Sequence, residues 1–249
     1  MITEINENTQ LQLASTEKEE EEFSESTNHS FENIMQDELP LIPLEQISLE
    51  VLEKNEQIPS KVRIVYVNDD VYEGEVDFQG LKDGWGIYLY NNSEKYEGFW
   101  QNNKIHGYGK YYFKGGENYE GDWYEGRKEG VGILKMNKGD RYQGEFYKDD
   151  FDGKGTYFYA NGDQFEGDWK DNKMNGKGIF KWLDGRLYEG EYVNDKKEGY
   201  GVFKWNDGRM YEGAWKNGKQ HGIGIYTMKD NQKKKGEWED GKRVKWIEE

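Results

Sequence analysis

A phrase built on an aromatic residue, an acid, a glycine and a second aromatic returns along this chain at an almost fixed interval. No other feature limits the fold as strongly. Its opening aromatics are Tyr72, Tyr96, Tyr119, Tyr142, Phe165, Tyr188 and Tyr211, separated by 24, 23, 23, 23, 23 and 23 residues. A period this constant means one small supersecondary unit copied and stacked, not a mixed fold with distinct elements.

Numbered from its opening aromatic as position 0, each copy contains two segments with the period-two pattern of strands. In the first, positions 0, 2 and 4 share a face, as in Tyr119-Gly121-Trp123; in the second, positions 11, 13, 15 and 17 do, as in Gly176-Gly178-Phe180-Trp182. Residues that tolerate positive φ fall between them, with Asn103, Gly126, Asp149, Asn172, Asp195 or Gly218 at position 7. A four-residue first loop and a three-residue second loop ending in a left-handed glycine would keep side-chain parity around both turns. Position 4 would then lie opposite the glycine of position 11, and position 0 opposite the aromatic of position 15. The expectation is an all-β, elongated, single-layer antiparallel β-meander of repeated hairpins, with no globular core.

Glycine and proline divide the chain. All 32 glycines and all 9 tryptophans lie beyond residue 70, whereas Pro40, Pro43 and Pro59 lie before it. Residues 1–60 carry fifteen acids against Lys18 and Lys54, a net of -13, which leaves -3 of the total -16 for the rest. That leader is too polar to offset its ordering entropy and is expected to be mostly disordered. Near residues 43–54, Leu44, Ile47, Val51 and Leu52 follow Pro43 at helical spacing, which suits a short amphipathic helix or a weakly helical linker. The array proper is expected over 61–249, with a cap strand at 62–68 and a carboxy-terminal cap at 234–249, where Lys234 replaces the opening aromatic.

Tyr-Glu-Gly-x-Trp, an x-Gly-Lys turn and Gly-x-Gly, repeated in phase from residue 72 to about 241, resemble the MORN (membrane occupation and recognition nexus) repeat family. The resemblance implies an elongated β-meander scaffold of cytoskeletal, ciliary, junctional or membrane-associated assemblies. The first copy departs from the pattern, with Val76 for tryptophan and one extra residue before Gly84; the fourth carries Phe146 and Asp150.

No constellation for catalysis is visible. The chain has no cysteine, hence no thiolate nucleophile and no sulfur-ligated zinc. His106 and His221 occupy position 10 of copies five repeats apart, about 50 Å along the stack at two strands per unit, too far for one site. The Gly-x-Gly pairs lead from turn into strand, not into the helix a phosphate cradle needs. No enzymatic activity, cofactor or metal is expected. The nearly neutral array lacks the basic stripe of a nucleic-acid binder. With no secretory signal and no apolar run of membrane-spanning length, a soluble cytoplasmic protein is expected, its place the cilium or cytoskeleton by the resemblance.

Two function classes remain. In the first, the chain is a scaffold whose aromatic face takes a protein partner, cytoskeletal or axonemal by the resemblance. That face comprises Tyr96, Trp100, Tyr119, Trp123, Tyr142, Phe165, Trp169, Trp182, Tyr188, Trp205, Tyr211 and Trp215. The same rings could instead serve only to hold so thin a layer together. In the second class, Lys104, Lys173, Lys196 and Lys219 on one edge contact a phosphoinositide membrane, or the chain is a targeting subunit that tethers an enzyme to a membrane. Self-association through the open sheet edges is a further expectation.

Overall fold

The computed structural model describes residues 61–248, which form seventeen β-strands. The leader 1–60, including the expected helix at 43–54, lies outside the described residues. β1 (Val62–Val65) is followed by eight hairpins. Their first strands are β2 (Val71–Val76), β4 (Lys95–Gln101), β6 (Asn118–Tyr124), β8 (Arg141–Tyr147), β10 (Gln164–Lys170), β12 (Leu187–Val193), β14 (Met210–Lys216) and β16 (Lys233–Glu239). Their second strands are β3 (Lys82–Leu89), β5 (Lys104–Tyr112), β7 (Arg127–Lys135), β9 (Asp150–Phe158), β11 (Lys173–Lys181), β13 (Lys196–Lys204), β15 (Lys219–Thr227) and β17 (Lys242–Trp246). Each strand pairs antiparallel with the next in sequence, so the chain is one open meander with β1 and β17 at its edges. The cap strand is shorter than 62–68, because a turn begins after Val65. The terminal segment forms a full eighth hairpin, β16–β17, in spite of Lys234.

The first loop differs from the four-residue expectation. In the third repeat Tyr124 pairs with Arg127, leaving Glu125 and Gly126 as a two-residue turn with φ of 49° and 84°. Two positive φ values make a type I′ turn, whose twist matches that of the flanking strands. Parity survives because a bulge follows. Between the pairs Gly121–Gly132 and Trp123–Lys128, β6 contributes one residue and β7 three. The glycine of position 11 sits in this bulge with a left-handed φ of +64° at Gly130. The carboxylate of position 3 caps it, Asp122 accepting the Val131 amide at 3.0 Å. Asp168 does the same for Lys177 at 2.8 Å.

Position 7 has a second duty besides tolerating positive φ. The Asn103 amide donates to the Lys82 carbonyl while its side-chain oxygen accepts the Lys82 amide at 2.8 Å, imitating one more rung of the ladder. Where the residue is Gly126, only the amide bond to Ile105 is made. The second loop is the three-residue type, with its last residue left-handed, φ being 89° at Gly139 and 88° at Gly162. In the first repeat the extra residue converts the first loop to this type as well, with Gly80 at φ 79°.

The glycines of positions 2 and 13 face each other across the hairpin, and the ring of position 0 lies on them. A Cβ added to Gly132 would stand 2.5 Å from Tyr119 Cε2, and one added to Gly121 would stand 2.5 Å from the Gly132 Cα. The ring resting on bare backbone is therefore the tyrosine, where the sequence pointed to the tryptophan. Trp123 does face a position-11 glycine, but it is Gly107 of the preceding repeat. Its own hairpin places it opposite Lys128.

Candidate functional site

The rings of positions 0 and 4 are the core of the sheet. Tyr96, Tyr119, Tyr142, Phe165, Tyr188 and Tyr211 are wholly buried, and Trp100, Trp123, Trp169 and Trp215 nearly so. Each tyrosine hydroxyl donates to the backbone carbonyl of position 3, as Tyr119 does to Asp122 at 2.9 Å. Each of these four indoles donates from Nε1 to the position-13 carbonyl of the preceding repeat, as Trp123 does to Gly109 at 3.2 Å and Trp169 to Gly155 at 3.1 Å. Tryptophan thus joins repeats while tyrosine closes its own hairpin. Edge-on ring contacts continue the pattern, Tyr119 meeting Trp123 at 5.0 Å and Phe146 of the next repeat at 5.0 Å. Burial pushes the Tyr119 and Tyr188 hydroxyls far above the usual phenol range.

Trp182 and Trp205, the other two residues of the expected aromatic site, stand at position 17 and are half-buried. They belong to a second ladder made of positions 15 and 17. From Tyr157 it runs through Tyr159, Phe180, Trp182, Phe203, Trp205 and Tyr226, with successive ring centroids 4.5 to 5.7 Å apart. This ladder is what the aromatic face offers to solvent. Leu134 and Met136 interrupt it in the third repeat.

Position 9 was assigned to a loop by the sequence pattern, but the bulge brings it into the strand and onto the aromatic face. It is Ile105, Phe151 and Met174 in three repeats, an apolar series that marks an inward position. In three others it is lysine, Lys82, Lys128 and Lys197, and in the seventh it is Gln220. The Lys197 ammonium sits 4.7 to 5.0 Å from the ring centroids of Trp182, Tyr188, Phe203 and Trp215. Lys82 lies likewise over Tyr66, Tyr72, Tyr88 and Trp100. Burial lowers both ammonium groups to about 8. Cation–π attraction opposes that desolvation.

The other face carries positions 1, 3, 12 and 14. Carboxylates of position 1 meet lysines across the strands, Glu120 with Lys110 at 3.4 Å and Glu166 with Lys181 at 3.9 Å. A groove of about 730 Å³ lies on this face between β9 and β13, lined by Lys154, Glu166, Lys177, Glu189, Glu191 and Tyr200 among others. Lys104, Lys173, Lys196 and Lys219 are all exposed at the type I′ turns, and Lys104 pairs with Glu125 at 3.4 Å. His106 packs against Tyr124, and His221 lies in another repeat. Among the described residues no group of three or more His, Cys, Asp or Glu side chains is placed to hold a metal ion. Among the same residues no helix is long and apolar enough to cross a membrane.

Solved structures with similar backbones include the TCP10 domain of Danio rerio CPAP, 10% identical, covering 76% of this chain and 90% of that one with a TM-score of 0.42. The same domain in complex with a peptide of Danio rerio STIL is 11% identical, with coverages of 76% and 84% and a TM-score of 0.45. The TCP domain of Drosophila melanogaster SAS-4 is 16% identical, with coverages of 71% and 83% and a TM-score of 0.35. No curated protein matches the chain. The MORN repeat profile matches residues 96–117, 119–141, 142–164, 165–185, 188–208 and 211–233, six consecutive units in register with the hairpins from β4 to the start of β16. The first hairpin, β2–β3, falls outside those matches, yet it pairs Tyr72 with Tyr88 and Gly74 with Gly86 as the others do. More than half of the chain is thus matched, and the protein belongs to the MORN repeat family.

Proposed function

We propose that this protein is a non-catalytic scaffold that binds protein partners on its repeat surface within a cytoskeletal or ciliary assembly, in the cytoplasm. The observation that carries the reading is the ladder from Tyr157 to Tyr226, a row of rigid rings that repeats with the hairpins and is half-buried everywhere but at the buried Phe203. Rings in such a row supply contact area at low entropic cost, the property that makes Trp and Tyr frequent anchors. The buried rings, Tyr119 and Trp123 among them, support this surface from beneath.

The test is proximity labelling in cells with the full chain, compared with a Trp182→Ala/Trp205→Ala variant whose fold is checked by circular dichroism. Loss of a defined set of labelled partners in the folded variant supports the reading. An unchanged set rules the ladder out as the binding surface.

A second reading rests on one observation: Lys173, Lys196 and Lys219 stand exposed at the same position of three successive repeats. Equally spaced ammonium groups on one edge suit an anionic membrane surface. Co-sedimentation of the full chain with phosphoinositide vesicles tests it, and binding insensitive to salt or to changing these lysines to glutamine would count against it.

A further inference from the structure

On the face opposite the buried rings, five repeats carry a carboxylate at position 3: Glu75, Asp122, Glu145, Asp168 and Glu191. Each accepts the amide of position 12 across the bulge. The second repeat breaks this rule with Phe99, which offers the Tyr108 amide no acceptor and turns a ring toward solvent. A local rule set aside for a half-exposed ring is where a function is to be sought.

Phe99 does not stand alone. Trp85 on β3, directly opposite it, and Tyr108 on β5 complete a row over three consecutive strands, and the three side chains are 42%, 47% and 50% exposed. Trp85 and Phe99 meet edge to face at 5.5 Å. Large apolar side chains exposed together, instead of singly, mark an interaction surface.

The surroundings state the chemistry of the partner. Glu75 and Asp122 end the row on either side, and Glu73, Glu97 and Glu120 run beside it at position 1. Arg63, Lys95 and Lys110 pair with the last three, while Glu75 and Asp122 at the two ends of the row accept only backbone amides among the described residues and keep their charge available to a cationic partner. Tyr108 itself donates to Glu120 at 2.7 Å, which holds that carboxylate beside the patch.

We infer that the row Trp85–Phe99–Tyr108 is a docking site for an arginine-bearing cationic peptide segment of a partner protein. A guanidinium can stack flat on an exposed ring while its N–H groups reach a flanking carboxylate, a combination that a lysine ammonium meets less well. The inference rests on the reading of the sheet as a protein-binding scaffold, and it places a second surface on the face away from the Trp182–Trp205 ladder.

The substitution Phe99→Glu tests it, because glutamate at this position is native to other repeats, keeps the hairpin and exchanges the ring for the carboxylate found there. Fluorescence anisotropy of a fluorescein-labelled Arg-Leu alternating peptide is measured against the full chain. Binding to the wild type should weaken by about tenfold in Phe99→Glu, despite the added negative charge. Ala214→Glu, the same change at position 3 of the seventh repeat, should leave it unaltered or slightly tighter. Equal or tighter binding in Phe99→Glu would mean that charge alone recruits the peptide and would overturn the inference. So would no binding to the wild type; in that case partners still captured through Trp182 and Trp205 would leave the scaffold reading standing.

Discussion

The paired glycines of positions 2 and 13 leave no room for a side chain between the strands, and Gly121→Ala perturbs such a pair in the third of the eight hairpins. The added Cβ would lie 2.5 Å from the Gly132 Cα and 2.6 Å from the Val131 carbonyl oxygen. Carbon atoms rest at about 3.5–4.0 Å, so roughly 1 Å of separation must be found. Both obstructing atoms are backbone. No rotamer change relieves them, and widening the strand pair would stretch the ladder on either side. The Tyr119 hydroxyl, 2.7 Å from the new carbon, must also leave its bond to the Asp122 carbonyl.

Overpacking costs about 1–3 kcal/mol, the lost hydrogen bond about 1 kcal/mol, and the stiffer unfolded chain returns about 0.4–1 kcal/mol. The net is a loss of about 1–3.5 kcal/mol, or on the order of 1 M in urea midpoint for a sheet of this size. Urea unfolding of the full chain, followed by tryptophan fluorescence, reads it. Because each repeat touches only its neighbours, the transition should also broaden or split as the two halves uncouple. A variant that unfolds at the wild-type midpoint in one sharp step would refute the reasoning.

Other substitutions test single contacts. Gly126→Asn should be neutral or stabilise by about 0.5–1 kcal/mol, since the site has open space and Asn103 and Asn172 already use the same conformation to accept an amide of the preceding repeat; urea midpoints check it. Lys197→Met, copying Met174 of the fifth repeat, should raise stability at pH 7 by about 1–2 kcal/mol, measured by the same unfolding. Its pH dependence has a definite sign. Burial holds Lys197 at about 8 in the fold against about 10.4 in the unfolded chain, so between these values the unfolded state binds more protons and wild-type stability rises with pH. The advantage of Lys197→Met should therefore shrink across that window. Trp169→Phe, copying Phe146, should cost about 1–2 kcal/mol through loss of the bond to the Gly155 carbonyl, seen as a lower urea midpoint.

The period, the parity of each strand and the three-residue turns were legible in the sequence because they depend on local chemistry: aromatics at alternate residues and glycine where φ is positive. The bulge was not legible. Position 11 is glycine in every repeat, but a glycine before a strand reads equally as the end of a longer loop, and only the pairing of Tyr124 with Arg127 decides between them. Everything that depends on the bulge was hidden with it, including the inward turn of Lys82 and Lys197. The bond from the position-12 amide to the carboxylate of position 3 was hidden as well.

That bond also separates stability from recognition. A side chain at position 0 touches two glycines and the rings of its own and the next repeat, so a change there spreads along the stack. A side chain at position 3 points to the other face and answers to a single amide. Phe99 and Ala214 forgo that bond while their hairpins keep the same register as the rest. The cost is one exposed hydrogen bond, about 0.5–1.5 kcal/mol, within reach of an array whose repeats support one another. Position 3 and its partner at position 12 can therefore vary from repeat to repeat without unfolding the sheet. They are the places where a uniform scaffold can acquire a local identity, and Trp85, Phe99 and Tyr108 occupy them together.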